Sequence, residues 1–134
     1  MADRPAPGRL WHLALQVADV ARMERFYMEI LGFVIEWKPD DDNVYLTSGR
    51  DNLALHRRGG EERPGPDSRL AHLGLVVERA DDVDGWADWL RAQGVPIDSE
   101  PRTHRDGARS LYFRDPEGNR IQIIHHPPIS PYVG

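Results

Sequence analysis

Leu10-Trp11-His12-Leu13-Ala14-Leu15-Gln16-Val17 is written into this chain twice, returning at 70–77 as Leu70-Ala71-His72-Leu73-Gly74-Leu75-Val76-Val77. Leu10, His12, Leu13, Leu15 and Val17 recur as Leu70, His72, Leu73, Leu75 and Val77. Side chains alternate across a strand, so Leu13, Leu15 and Val17 face one way while His12, Ala14 and Gln16 face the other. A histidine among small neighbours, opposite an aliphatic row, marks the face that is not packed into a core. The repeat therefore predicts two imidazoles, one from each half, directed into a shared cavity.

The surroundings of each copy repeat as well. After the first copy, Asp19 is placed to cap a helix through its carboxylate. Val20, Met23, Phe26, Tyr27, Ile30 and Leu31 follow helical spacing, and Gly32 suits the left-handed residue past the end. Strands are expected over 33–38, 44–48 and 52–57, separated by turn-forming residues at 39–43 and 49–51. After the second copy, Asp81 or Asp82 is expected to cap a helix that packs through Val83, Trp86, Ala87 and Leu90 and stops at Gly94. Strands follow over 95–100, 108–114 and 120–125, with Asp115-Pro116-Glu117-Gly118-Asn119 turning between the last two. Trp11 is expected on the aliphatic side of its strand, and Trp86 and Trp89 in helix packing. His104, His125 and His126 are expected at the surface.

Between the halves, Gly-Gly-Glu-Glu-Arg-Pro-Gly-Pro-Asp-Ser at 59–68 is too rich in breakers for anything but a linker. The expected organisation is one domain: a βαβββ module over 10–58, a linker over 59–69, a second βαβββ module over 70–126, and an extended or loose tail over 127–134. The fold class is α+β, with the tandem modules forming a curved mixed sheet around a cleft and the helices on the outer face.

Composition fits one such domain. A chain of 134 residues can bury roughly two-thirds of its unfolded surface. The longest apolar runs are a few residues, too short to span a membrane, and the first eight residues do not read as a secretory signal. With no cysteine there is neither a disulfide nor thiolate chemistry, which is compatible with a cytoplasmic location. A net charge of −5 with dispersed acidic residues argues against nucleic-acid or anionic-membrane partners. Lys38 is the sole lysine, which leaves almost no room for Schiff-base chemistry.

If the alternation holds, the face away from the aliphatic rows carries His12, Ala14 and Gln16; Tyr45 and Thr47; Ala54 and His56; His72, Gly74 and Val76; Ser110, Tyr112 and Arg114; and Gln122. Neutral imidazoles suit a divalent first-row ion such as Zn, Ni, Fe or Mn. An open position on that ion would polarise a substrate oxygen. Tyr45, Tyr112 and Arg114 are candidates for substrate contact.

The paired histidine strands, the βαβββ repeat and Phe-Arg-Asp-Pro-Glu-Gly-Asn-Arg-Ile-Gln-Ile-Ile at 113–124 together resemble the vicinal oxygen chelate superfamily, over roughly 10–126. That superfamily includes glyoxalase I, extradiol dioxygenases, fosfomycin-resistance enzymes, methylmalonyl-CoA epimerases and bleomycin-binding proteins. By resemblance, metal ligands fall on His12 and His72. The last-strand ligand, usually a glutamate, falls on Gln122, and the fourth-strand position used by glyoxalase-like members falls on Ala54, which cannot ligate. Gln122 can offer an amide oxygen but no charge, and it cannot be the general base that a carboxylate supplies there. His56, two residues beyond Ala54 on the same face, is the candidate to replace a ligand or act as an acid–base group. The resemblance implies a metal-dependent isomerase, lyase or transferase acting on a small oxygenated substrate. Its alternative is a metal-free protein that sequesters a small molecule, as bleomycin-binding members do. It also implies a homodimer.

Overall fold

The computed structural model describes residues 3–7, 9–59 and 70–133, so most of the expected linker at 59–69 lies outside the described residues. The chain divides into two compact units, Met1–Gly60 and Glu61–Gly134. Each has the expected strand–helix–three-strand order, and each builds its own four-stranded mixed sheet.

In the first unit, β1 (His12–Val17) buries Leu15 and Val17 and leaves His12, Ala14 and Gln16 exposed, as the alternation requires. Asp19 then accepts a hydrogen bond from the Arg22 backbone N–H at 3.0 Å, satisfying one of the free donors at the start of α1 (Val20–Arg25). The helical spacing beyond Arg25 is realised differently from expectation: Phe26–Ile30 is a π-helical turn. Tyr27 in that turn is fully buried, edge-on to Phe26 and Phe33. Three strands follow, β2 (Val34–Asp40), β3 (Asn43–Thr47) and β4 (Asn52–Arg57). Their order is β1-β4-β3-β2, with β1 parallel to β4 and the other pairs antiparallel. The helix packs over β3 and β4, and Val20, Met23 and Tyr27 meet Val44, Leu46, Leu53 and Leu55 in the core. Each such aliphatic side chain contributes about 1.5–3 kcal/mol on full burial.

The second unit repeats this plan with β5 (Leu73–Val76), α2 (Ala80–Ala92), β6 (Ile97–Thr103), β7 (Arg109–Arg114) and β8 (Arg120–His125), in the order β5-β8-β7-β6. Val83, Ala87 and Leu90 of α2 close over Leu111, Phe113, Ile121 and Ile123. Both helices end before a glycine in the left-handed region, Gly32 at φ +83° and Gly94 at φ +73°. Both outer strands, β2 and β6, carry register irregularities, which interrupt the regular ladder that an exposed edge would otherwise present.

Several local expectations are corrected. The N-cap of α2 is Arg79; Asp82, at the third helical position, reaches back to accept from the Arg79 backbone N–H at 2.9 Å. Trp89 is 43% exposed, because the inward face of α2 runs through Val83, Ala87 and Leu90 and leaves it to one side. Trp11 is 48% exposed and carries the Arg9 guanidinium against its ring; burial along β1 fades toward the strand start. The tail forms a 3-10 turn at Ser130–Tyr132, and Ser130 is buried with its hydroxyl accepting from the His126 backbone N–H. His125 and His126 are half-buried rather than exposed, and the Nδ1 of each is enclosed without a partner among the described residues.

Candidate functional site

The helices cover one face of each sheet, and the residues singled out from the sequence lie on the other. In the first unit, parallel pairing puts Asn52 directly opposite His12, and the Asn52 Oδ1 lies 2.8 Å from His12 Nδ1. An amide oxygen only accepts, so Nδ1 carries a proton, and in the neutral ring Nε2 then holds the lone pair. Antiparallel pairing does the same for His56. Asn43 is its register partner on β3, with Oδ1 2.7 Å from His56 Nδ1. Both histidines of this face are therefore held in one tautomer by an asparagine across the ladder. His56 also stands edge-on to Tyr45, which stacks on Trp37 with ring centroids 5.0 Å apart. Ala54 is fully buried between its register partners Ala14 and Tyr45 and offers no donor.

In the second unit His72 immediately precedes β5, is exposed, and meets the Tyr112 ring edge-on at 5.5 Å. The Gln122 Nε2 donates to the Tyr112 hydroxyl at 2.8 Å. That bond turns its Oε1 toward β5, 3.6 Å from where a Cβ on Gly74 would stand. His72, Tyr112 and Gln122 thus form one connected group. Arg114 is drawn elsewhere: its Nε donates to Asp98 Oδ2 at 2.7 Å and its Nη1 to the Gly118 carbonyl at 3.0 Å. The guanidinium that lies over Tyr112, with Cζ 3.9 Å from the ring centroid, belongs to Arg120.

The motif at 115–119 serves the turn. Asp115, buried, accepts from the backbone N–H groups of Glu117 and Asn119 and from Asn119 Nδ2. This knot sets the register in which β8 leaves the turn, and hence which residues of β8 stand beside Tyr112.

Within each unit, the side chains offer lone pairs of the kind that hold a divalent ion. His12 offers Nε2 with Nδ1 hydrogen-bonded to an oxygen, the outer arrangement that orients metal-bound imidazoles. Gln122 offers Oε1, which no hydrogen bond occupies among the described residues. None of these donors is a carboxylate, and among the described residues no three His, Asp or Glu side chains group together as a metal cage. Asn43, Asn52, Trp37 and Arg120 were not singled out from the sequence. Only the strand pairing reveals the first two, and only the packing on β3 and β7 reveals the others.

A family profile described as the glyoxalase/bleomycin resistance protein/dioxygenase superfamily matches residues 9–123. The chain belongs to this superfamily. Among curated relatives, virulence protein STM3117 of Salmonella typhimurium is 34% identical over 128 residues, covering 88% of this chain and 84% of that protein. The metallothiol transferase FosB of Staphylococcus epidermidis is 27% identical over 115 residues, covering 84% of this chain and 78% of the relative. Among solved structures, lactoylglutathione lyase from Agrobacterium tumefaciens superposes with a TM-score of 0.75 at 24% identity, over 90% of this chain and 96% of that one. This last likeness bears on the fold alone. Superfamily membership agrees with the doubled βαβββ plan, and no helix among the described residues is long and apolar enough to cross a membrane.

Proposed function

We propose that this superfamily member is a metal-dependent enzyme acting on a small oxygenated substrate, by transferase, lyase or isomerase chemistry. His12 and His72, one from each repeat, and the Gln122 amide oxygen are its metal ligands. The observation that carries this reading is the Asn52–His12 hydrogen bond, which leaves Nε2 of an exposed imidazole as a prepared donor. A bound divalent ion would act as a Lewis acid on vicinal substrate oxygens.

The chain's own residues supply the rest. With Asn43 accepting from Nδ1, His56 presents Nε2 as a base able to take a proton from substrate and return it. It takes over the role that a carboxylate at position 122 would otherwise fill. Trp37 and Tyr45 give an aromatic wall beside His56, and Tyr112 a second beside His72. Arg114, committed to Asp98 and the Gly118 carbonyl, braces the β7–β8 turn. The relative named metallothiol transferase supports a metal-centred transfer reaction. We place the protein in the cytoplasm as a homodimer.

A second reading, a metal-free protein that sequesters a small molecule, is favoured by the absence of a carboxylate from the donor set. Elemental analysis of purified protein and thermal melting with and without chelator separate the two. Free metal at about 100 times its dissociation constant stabilises the fold by ~2.7 kcal/mol, and His12→Ala or His72→Ala should each abolish that gain. A wild-type melt indifferent to Zn, Ni, Fe and Mn would favour the sequestering protein.

A further inference from the structure

The second unit carries a cation that no carboxylate among the described residues balances. On the open face, Arg114 and Arg120 are register partners at the β7–β8 turn. Arg114 is paired with Asp98. For the Arg120 side chain no ion pair or hydrogen bond is found among the described residues. Its guanidinium instead lies over the Tyr112 ring at 3.9 Å, and its Nε is enclosed without an acceptor. Stacking on an aromatic face fixes the plane of a guanidinium without using any of its donors. With Nε enclosed, the end-on edge, Nη1 and Nη2, is what a ligand can reach. That edge is a two-pronged donor for two oxygens of one anion.

The geometry points to Arg120 as an anion-binding residue, which holds a carboxylate, phosphate or phosphonate group of the ligand over Tyr112. Three features make the site a built one. The platform ring is held by Gln122, whose Nε2 donates to the Tyr112 hydroxyl. Its other edge neighbour is His72. The flanking Arg114 is paired with Asp98, so of the two register partners Arg120 is the one left to meet an anion. The inference deepens the proposed function by giving the substrate class, a small molecule with vicinal oxygens and an anionic group. It needs no metal, so it stands or falls independently of the ligand assignment above.

The test uses the metal-free, full-length protein at low ionic strength, with inorganic phosphate and acetate as separate probes. Binding is read from the arginine Nε–H resonances in a ¹H–¹⁵N spectrum and from calorimetry. The expected result is a saturable shift of one arginine Nε–H, lost in Arg120→Gln, with at least tenfold weaker binding in that variant. Arg79→Gln, which removes the same charge from the start of α2, should bind within twofold of wild type. Arg120→Lys keeps the charge but loses the fork, and should bind phosphate more weakly than wild type but better than Arg120→Gln. A stronger response to phosphate than to acetate assigns a tetrahedral oxyanion, and the reverse assigns a carboxylate. The proposal is overturned if neither probe shifts any arginine Nε–H of wild type, or if Arg79→Gln and Arg120→Gln weaken binding equally. Loss of metal binding with retained phosphate binding would sink only the metal reading.

Discussion

Replacing Asn52 by leucine, which has nearly the same size, removes one acceptor from the open face of the first unit and little else. The affected bond is the 2.8 Å contact to His12 Nδ1, and both groups lie toward the exposed end of β1. Loss of such an outer-sphere partner typically weakens metal binding by about 10–100-fold, or ~1.4–2.7 kcal/mol. The stability of the metal-free protein should move by less than about 0.5 kcal/mol, as expected for an exposed site. At a metal concentration that gives wild type ~2.7 kcal/mol, the variant's gain should fall to between ~1.4 and ~0.4 kcal/mol. A competition titration against a chromophoric chelator measures the affinity, and melting with and without metal measures the linkage. Asn43→Leu, which releases His56 in the same way, serves as the internal comparison and should leave metal affinity intact. The reasoning is refuted if Asn52→Leu binds metal as tightly as wild type while His12→Ala does not bind it at all. The imidazole would then ligate without needing its tautomer held.

Other outcomes follow from the same contacts. His56→Gln should retain metal affinity while turnover on an identified substrate drops by about 10²–10⁴-fold, the usual worth of a positioned acid–base group; unchanged turnover would remove His56 from the chemistry. Asp115→Ala should cost about 3 kcal/mol in urea unfolding, since a buried carboxylate accepting from Glu117, Asn119 N and Asn119 Nδ2 is lost and its donors are left behind. Asp19→Ala should cost about 1 kcal/mol through the lost helix cap, a loss that Asp19→Ser should largely avoid. The two-pronged hydrogen bond from Arg109 holds the Asp84 carboxyl below its usual value of 3.8. A lowered folded-state value means stability that is present above about pH 4 and lost as the pH falls through the folded value. Because both groups are partly exposed, the amount is under about 1 kcal/mol. Asp84→Asn should flatten that part of the acid unfolding curve, and an unaltered slope would show the pair to be inert.

The fold was legible in the sequence because its signals are local and doubled. The repeated His-Leu-x-Leu strand, the helical spacing beginning at Val20 and at Val83, and the turn at 115–119 each follow from alternation, capping or turn chemistry within a few residues. Strand limits are less sharply encoded at exposed ends: β5 begins at Leu73 rather than at residue 70, and Ala71 and His72 before it are exposed. The π-helical turn at Phe26–Ile30 has no signature in the sequence, because its apolar residues keep a spacing compatible with an α-helix.

The sequence by itself determined the two βαβββ units, their aliphatic cores, and which face of each sheet carries His12, His56, Tyr112 and Gln122. Tertiary structure alone decided the partners of those residues: Asn52 on His12, Asn43 on His56, Gln122 on Tyr112, Asp98 on Arg114, and Tyr112 beneath Arg120. The physical reason is that alternation is a property of one strand, whereas register belongs to a pair. Which residue stands across the ladder, 40 positions away for His12 and Asn52, is settled only when two strands hydrogen-bond and a helix seals the face behind them.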